Sequence, residues 1–184
     1  QGACHVLTDD LVFGSGTTDY DHAPDNLDKG RIFVVDMLTG EPYRTSATED
    51  WIWESSRDSY FNAPMAMDLF LSNNVDAVYL AENYYSNSGS EWRADILKIA
   101  VPCSKCPWSE DQNGNVLYDR DEYEYSADPY AWSVSTLFEA DGPVTAKLNS
   151  STDPLGNWMF YFGTGRYVND DDKTDDKQQY LYCV

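Results

Sequence analysis

The chain of 184 residues carries little positive charge and almost no histidine. Twelve Lys and Arg residues face 32 Asp and Glu residues, for a formal net charge of -20, and His5 and His22 are the only histidines. Such a surface repels nucleic acid and anionic membranes, so we expect neither as a partner. The Ser-His-Asp, HExxH and Gly-rich phosphate-loop patterns are also missing, which favours a protein that is not an enzyme.

Long apolar runs are missing as well. No stretch approaches the roughly 20 apolar residues of a transmembrane helix, and no long stripe repeats every 3.6 residues, so we expect neither membrane insertion nor much helix. The sequence begins at Gln1 without an initiator methionine or a signal peptide. We therefore expect an exported, extracellular protein from which a signal peptide, and a further upstream segment, have been removed.

Aromatic side chains are what the sequence has in abundance. They make up 15% of the residues, against 24% charged residues, which is typical of a folded domain rather than a disordered tail. The run W-M-F-Y-F-G-T-G-R-Y from Trp158 to Tyr167 predicts an inner strand buried on both faces. Gly163 and Gly165 suit a sharp bend or a close approach of two backbones. At this length, residues 1–184 are expected to form one domain.

The same unit occurs twice along the chain. A strand ending in Gly-x-Gly, an acidic loop and a second strand span Leu11 to Asp36, and the same succession begins at Trp158 and continues to the end of the chain. Between them, alternating apolar and polar residues predict further strands around Tyr79, Ile96 and Val134, and another at Val144 to Leu148. The sequence therefore predicts an all-β protein built from repeated units with long acidic loops.

These motifs also carry a family resemblance. F-G-S-G, R-I-F-V-V-D-M-L-T-G-E-P, P-M-A-M-D with V-D-A-V-Y-L, and P-V-T-A-K with W-M-F-Y-F-G-T-G-R-Y follow one another from Leu11 to Val184. In this order they resemble the C-terminal β-propeller domain of type IV pilus tip adhesins, the PilY/PilC family. The resemblance implies a partial or modified β-propeller of about three to four blades, fewer than most closed propellers have. The remaining part of the same polypeptide, or a second chain, would then cover the open sheet edges.

Part of the resemblance is broader than this family. V-x-D-x-x-T-G, with Asp36, Thr39 and Gly40, is similar to the blade signature of quinoprotein-type propellers, in which aspartate and threonine complete a turn. A degenerate quinoprotein-type oxidoreductase is therefore an alternative. Residues 101–130 are least similar to the family and are predicted to be an inserted loop with a hairpin of its own.

The four cysteines favour two disulfide bonds in an exported chain. Cys103 and Cys106 are close enough in sequence to bond to each other, and Cys4 and Cys183 would then join the two ends. Zinc bound by Cys103 and Cys106 together with Cys4 and His5 or Cys183 is an alternative, as is thiol redox chemistry. Pro107 stands where a c-type haem motif needs histidine, which excludes that cofactor.

Calcium is the one cofactor that the sequence suggests. In the resembled family an EF-hand-like loop precedes the V-D-x-V-Y motif, and its positions correspond here to Asp68, Phe70, Ser72, Asn74 and Asp76. Phe70 cannot ligate, which lowers the number of ligands below the six or more oxygens that calcium takes. The alternative is a structural hairpin in which Asp76 caps a turn.

A second candidate calcium loop lies in the inserted segment. Oxygen-bearing side chains alternate there at Asp111, Asn113, Asn115 and Asp119, but glycine stands at the fourth rather than the sixth position. Asn113-Gly114 is also a favourable pair for a type I′ hairpin turn, which is the interpretation that we prefer.

The resemblance implies a function in adhesion and pilus extension. The predicted function is a non-catalytic display module at the cell surface or pilus tip, whose partners are pilus or other surface-filament proteins. Its Tyr-rich loop from Ser109 to Tyr130 would form the contact surface, since tyrosine offers a large contact area at low rotamer cost. A structural subunit of an extracellular filament is the main alternative.

Overall fold

The computed structural model describes residues 2–8, 11–16, 28–36, 39–44, 46–50, 52–69, 75–88, 90–106, 109–115, 117, 124–126, 128–166, 170–174 and 176–184. The prediction of an all-β protein is confirmed. The strands are β1 (Gly2–Thr8), β2 (Leu11–Gly16), β3 (Lys29–Asp36), β4 (Trp53–Phe61), β5 (Met65–Met67), β6 (Ala77–Ser86), β7 (Glu91–Ala100), β8 (Cys103–Lys105), β9 (Glu124–Tyr125), β10 (Ser133–Ala140), β11 (Asn149–Thr152), β12 (Trp158–Gly163) and β13 (Leu181–Cys183). Within this part of the chain, no helix is long and apolar enough to cross a membrane.

Eight strands form one large antiparallel sheet in the order β1-β2-β3-β4-β6-β7-β10, with β5 also beside β6. Strand β4 joins two four-stranded halves, because its first residues pair with β3 and its last residues pair with β6. Strands β8 and β9 form a separate two-stranded sheet inside the segment predicted to be an insertion. The described strands form no closed sheet.

Strand β6 is the strand that is buried on both faces. Its side chains alternate between two apolar cores. Val78 and Leu80 pack with Ile32 and Val34 of β3, so the large sheet curls enough to cover part of its own face. Tyr79 and other side chains of the opposite face pack against the small sheet. Every residue from Ala77 to Asn83 is therefore buried, which explains the nearly continuous apolar run in the sequence.

The small sheet, in the order β11-β12-β13, covers the second core. Phe160 and Phe162 of β12 point into that core, and the ring of Phe160 lies 4.4 Å from the ring of Tyr79. Tyr161 between them is 38% exposed. The prediction that β12 is an inner strand is confirmed for its pairing, but the prediction that both of its faces are buried is wrong, because Tyr161 on its outer side is exposed.

Residues 144–148 do not form the strand that their alternation predicts. The side chain of buried Asn83 accepts from the Val144 N–H at 2.6 Å and donates to the Val144 carbonyl at 3.1 Å. Buried Asn62 donates to the carbonyl of Ala146 at 2.7 Å. Side-chain amides thus bond to the backbone groups that a sheet would otherwise use, and the segment crosses from β10 to the small sheet.

The prediction for Cys103 and Cys106 is confirmed, since the two form a disulfide with their Cα atoms 5.4 Å apart. The alternative of zinc bound by this pair is therefore wrong. Cys183 is free and exposed, so the structure does not form the predicted bond to Cys4, whose side chain lies outside the described residues. The two cysteines belong to different sheets, because β1 is the last strand of the large sheet and Cys183 pairs with Tyr161 in the small one.

The V-x-D-x-x-T-G motif forms the tight turn that the sequence predicts. The Asp36 carboxylate accepts from the Thr39 N–H at 2.9 Å, and the Thr39 hydroxyl accepts from the Glu41 N–H at 3.2 Å. Gly40 has a φ of 72°, a conformation in which glycine avoids the steric cost of a Cβ atom. Aspartate and threonine thus satisfy the backbone of this turn.

Candidate binding pocket beside Arg166

A pocket of about 40 Å³ lies where β7 begins. Three chain segments line it: Glu91 and Trp92 of β7, the turn from Asp141 to Pro143, and residues between Arg166 and Gln179. These segments lie far apart in sequence and meet only because the small sheet packs against the large one. Charged groups and amides dominate the lining, which suits a polar ligand.

The Gly-Thr-Gly sequence positions one wall of the pocket. Gly165 has a φ of 141°, donates its N–H to the Pro143 carbonyl at 2.7 Å, and accepts from the Thr145 hydroxyl at 2.9 Å. The positive φ of Gly165 matches the alternative prediction of a bend. Neither glycine allows an unusually close approach of two backbones, because a Cβ atom at Gly165 would meet only a side-chain oxygen of Gln179 and one at Gly163 only the carbonyl oxygen of Tyr180, both at 3.8 Å.

The side chain that follows this glycine is the centre of the pocket. The guanidinium of Arg166 lies over the ring of Trp92, with its carbon 4.2 Å from the ring centre. The Arg166 side chain is only 6% exposed, and its Nε lies 3.4 Å from a carboxylate oxygen of Asp172. That Nε forms no hydrogen bond to any described residue. A nearly buried cation is thus held in place by an aromatic face and one carboxylate.

Two further aromatic rings pack against Trp92 and hold it in position beside Arg166. Trp92 contacts Tyr60 and Tyr85 edge to face, with ring centres 5.7 Å and 5.6 Å apart. Burial raises the pKa of Tyr60 to about 12; the nearby charge of Arg166 opposes this rise and that of Asp172 adds to it. The Tyr60 hydroxyl therefore stays neutral at physiological pH, and the rings fix the plane on which Arg166 lies.

The rim of the pocket carries a second arginine. Arg93 pairs with Glu91 at 2.7 Å and lies 3.5 Å from Asp141. The hydrogen bonds that Arg93 donates to Glu91, together with the negative charge of that carboxylate, raise the pKa of Arg93 further above its ordinary value. The two rim carboxylates therefore face a positive partner, although all three side chains remain partly exposed.

A separate polar cluster lies on the opposite face of the large sheet. Glu82, 2% exposed, accepts from the Ser59 hydroxyl at 2.8 Å and also from the Ser55 hydroxyl. Arg57 bonds to both Glu82 and Asp95, which stand directly opposite each other on β6 and β7. The carboxylates of this cluster have protein partners, so it stabilises the sheet rather than offering a binding site.

The first candidate calcium loop lies only partly within the described residues. Ser72 and Asn74 lie outside them, as does Phe70. Asp76 is buried and accepts a hydrogen bond from the Leu69 N–H, while its own carbonyl accepts from Val101 at 3.1 Å. These contacts match the alternative interpretation, in which Asp76 caps a turn, and calcium here stays a prediction.

The second candidate loop forms a turn. The Asp111 carboxylate accepts from the Asn113 and Asn115 N–H groups at 2.7 and 3.0 Å, and from the Asn115 side chain at 2.9 Å. These bonds, chiefly those of Asn115, lower the pKa of Asp111 to about 2. Gly114 has a φ of 80° but Asn113 does not have a positive φ, so the turn is not type I′ as predicted.

Both Asp111 oxygens accept hydrogen bonds within this segment, which matches its interpretation as a turn. Asp119 lies outside the described residues. Among the described residues, no group of three or more His, Cys, Asp or Glu side chains is close enough to hold a metal ion. Calcium remains a sequence-based prediction for both loops.

Sequence reasoning missed the pocket. Arg166 follows a Gly-Thr-Gly motif and Trp92 starts a strand, but no pattern links two residues 74 positions apart. The predicted display surface from Ser109 to Tyr130 is a different region, and much of it lies outside the described residues. Comparison of the chain with protein-family models, with curated proteins and with solved structures returned no match.

Proposed function

We propose that this chain is an extracellular, non-catalytic binding module of the kind found at the tips of type IV pili. The observation that carries the proposal is the pocket around Arg166, in which a nearly buried guanidinium lies on Trp92 beside a polar rim. Rigid aromatic packing beneath a concave polar surface suits recognition of a ligand. The large negative charge is compatible with a protein exposed outside the cell.

The strand pairing of the large sheet supports this proposal, and a propeller-like arrangement is part of what we propose. The large sheet consists of two four-stranded antiparallel halves that share the long strand β4, and four antiparallel strands are the unit of a propeller blade. The turn around Asp36 and Thr39 also has the hydrogen bonds that the blade signature implies. We propose that each half corresponds to one blade, with further blades supplied by the rest of the polypeptide or by another chain.

The disulfide supports an exported location. Disulfides persist in oxidising compartments, and Cys103 and Cys106 are bonded within the segment least similar to the resembled family. Together with the acidic loops, this segment would contact pilus or other surface-filament proteins. We infer no catalytic step; two of the buried carboxylates, Glu82 and Asp95, are held by Arg57 and neighbouring side chains.

Binding of labelled protein to isolated type IV pili and to cultured epithelial cells would test the proposal. We expect saturable binding to at least one of these surfaces, and strong loss of that binding with Arg166→Met. Arg44→Met is the matched control, because Arg44 forms an exposed ion pair with Asp50 on another part of the surface. Absence of saturable binding to both surfaces by correctly folded protein would overturn the proposal.

A filament subunit is the second candidate. Among the described strands, β10 is the last of the large sheet, pairs with β7 alone and exposes Leu137, so its outer edge can accept a strand from another copy. Light scattering over a range of concentrations separates the two functions. Growth of the particle with concentration would favour the filament, whereas a monomer at all concentrations would exclude it.

A further inference from the structure

The buried guanidinium of Arg166 indicates which kind of ligand group the pocket can bind. The side chain is 94% buried, which follows from its 6% exposure, and its only ionic contact within the described residues is with Asp172 at 3.4 Å. Its Nε has no hydrogen-bond partner there. The guanidinium also lines the pocket, so a ligand that brings an acceptor oxygen can bond to this cation.

The remaining groups of the pocket mainly supply acceptors. Gln178 donates its side-chain amide to the Gln179 carbonyl at 2.7 Å, and Gln179 donates its own to the Lys177 carbonyl at 3.2 Å. One N–H of each side-chain amide is therefore engaged within the segment, and the two side-chain oxygens are acceptors. The carboxylates of Glu91 and Asp141 at the rim add further acceptors. Donors and acceptors thus lie side by side.

The charged side chains around the pocket indicate the net charge of the ligand. Three carboxylates, those of Glu91, Asp141 and Asp172, are matched by the three cations of Arg93, Arg166 and Lys177 at the pocket and its rim. Among the described residues these six charges cancel, whereas the chain as a whole carries a net charge of -20 and repels anions. A neutral ligand whose groups both donate and accept fits best, and the hydroxyl group has that property.

We propose that this pocket binds a neutral, hydroxyl-rich sugar unit, such as the terminal monosaccharide of a glycan. One hydroxyl would accept from Arg166 while its neighbours donate to the Gln178 and Gln179 oxygens. The pocket volume of about 40 Å³ admits the hydroxyl-bearing edge of one ring, so single-site affinity is weak and useful binding comes from many copies displayed together. This inference rests on the proposed function as a surface binding module.

Nuclear magnetic resonance titration of the isotope-labelled full chain tests it. The probes are galactose, glucose, mannose and N-acetylglucosamine, with glycerol as a polyol control. We expect shifts at the Arg166 and Trp92 side chains with at least one sugar, with a Kd on the order of millimolar, and none with glycerol. Arg166→Met should weaken binding about tenfold or more, while Arg44→Met leaves it unchanged.

A second variant distinguishes loss of sugar binding from misfolding of the Arg166→Met protein. Gln179→Ala removes an acceptor at the exposed side of the pocket and should also weaken sugar binding, with an unchanged thermal transition. Absence of pocket shifts with all four sugars would overturn the inference, as would binding of N-acetylneuraminate or of a short neutral peptide in their place. If cell or pilus binding persists and still depends on Arg166, the proposed function survives without the sugar.

Discussion

Carboxylates occupy two contrasting environments in this molecule. Asp111 and Asp153 lie at exposed turns, and each accepts hydrogen bonds from residues within four positions of itself. Glu82 and Asp95 lie on neighbouring strands of the large sheet, are almost fully buried, and are joined by Arg57 from a third strand. The first pair is satisfied by local sequence and the second by tertiary structure.

The two turns share one pattern, D-x-x-G-N. In both, the aspartate accepts from the backbone and side chain of an asparagine four residues later, and the intervening glycine has a positive φ of 80° or 88°. The same hydrogen bonds lower the pKa values of Asp111 and Asp153. Water surrounds both turns, so a change there should cost much less than a change among the buried carboxylates.

The largest effect is expected for Arg57→Met. It removes the cation between Glu82 and Asp95 and leaves two buried carboxylates facing each other across adjacent strands. We expect a loss of about 3 kcal/mol in the free energy of unfolding, measured with urea at neutral pH. Arg44→Met, which breaks the exposed pair with Asp50, should cost less than about 1 kcal/mol. Equal losses of stability for the two variants would contradict the expected difference between the buried and the exposed carboxylates.

The next effect concerns a glycine on a strand. A Cβ atom at Gly30 would lie 2.5 Å from the Ser59 hydroxyl oxygen and 2.6 Å from the Phe61 ring, in the crowded space beside the buried cluster. Gly30→Ala should therefore destabilise the protein by about 2 kcal/mol in urea unfolding. Gly156→Ala is the matched change at a turn, where nothing lies near the Cβ position and only the positive φ opposes it. Gly156→Ala should reduce stability less than Gly30→Ala does. The reverse order would show that steric crowding does not cause the loss at Gly30.

A measurement at alkaline pH tests how much buried Tyr60 contributes to stability, in a range where the exposed carboxylates no longer titrate. Because folding raises the pKa of Tyr60 to about 12 from 10.0, its contribution is fully present below the unfolded value and is lost as the pH rises through the folded one. We expect a loss of about 1 kcal/mol of stability near pH 11, which Tyr60→Phe should abolish. An unchanged alkaline limb in that variant would assign the loss to other groups.

The smallest effect is expected at the turn of Asp153. Asp153→Ala removes the acceptor of three hydrogen bonds at a solvent-exposed site, so the loss of stability should be below that of Gly30→Ala. The pKa of Asp153 is lowered by folding, so its contribution is present above its ordinary value of 3.8 and disappears as the pH falls through the folded value. Urea midpoints of wild type and variant should therefore converge in acid, and a constant gap would contradict the charge-based explanation.

Local features of the fold were predictable from the sequence. Alternation and aromatic content predicted β6, β7, β10 and β12, and the Asp36 turn follows from side chains that bond to their own backbone. The strand predicted at residues 144–148 was wrong because distant Asn62 and Asn83 bond to its backbone groups. A local pattern cannot show that a remote side chain competes with sheet pairing.

The candidate site was much less predictable. Disulfide bonding of Cys103 and Cys106 follows from their spacing, and the positive φ at Gly165 follows from its residue type. The contact between Arg166 and Trp92, by contrast, depends on how the small sheet packs against the large one. Residue types alone also gave no sign that Glu82 and Asp95 share one arginine.

By itself, the sequence determined the β-rich content, the tight turns and the one short-range disulfide, because each depends on interactions between residues close together in the chain. Only the tertiary structure decided that β6 rather than β12 is buried on both faces, and that Arg166 is enclosed beside Trp92. Burial and long-range pairing depend on which surfaces meet, and that is a property of the packed sheets as a whole.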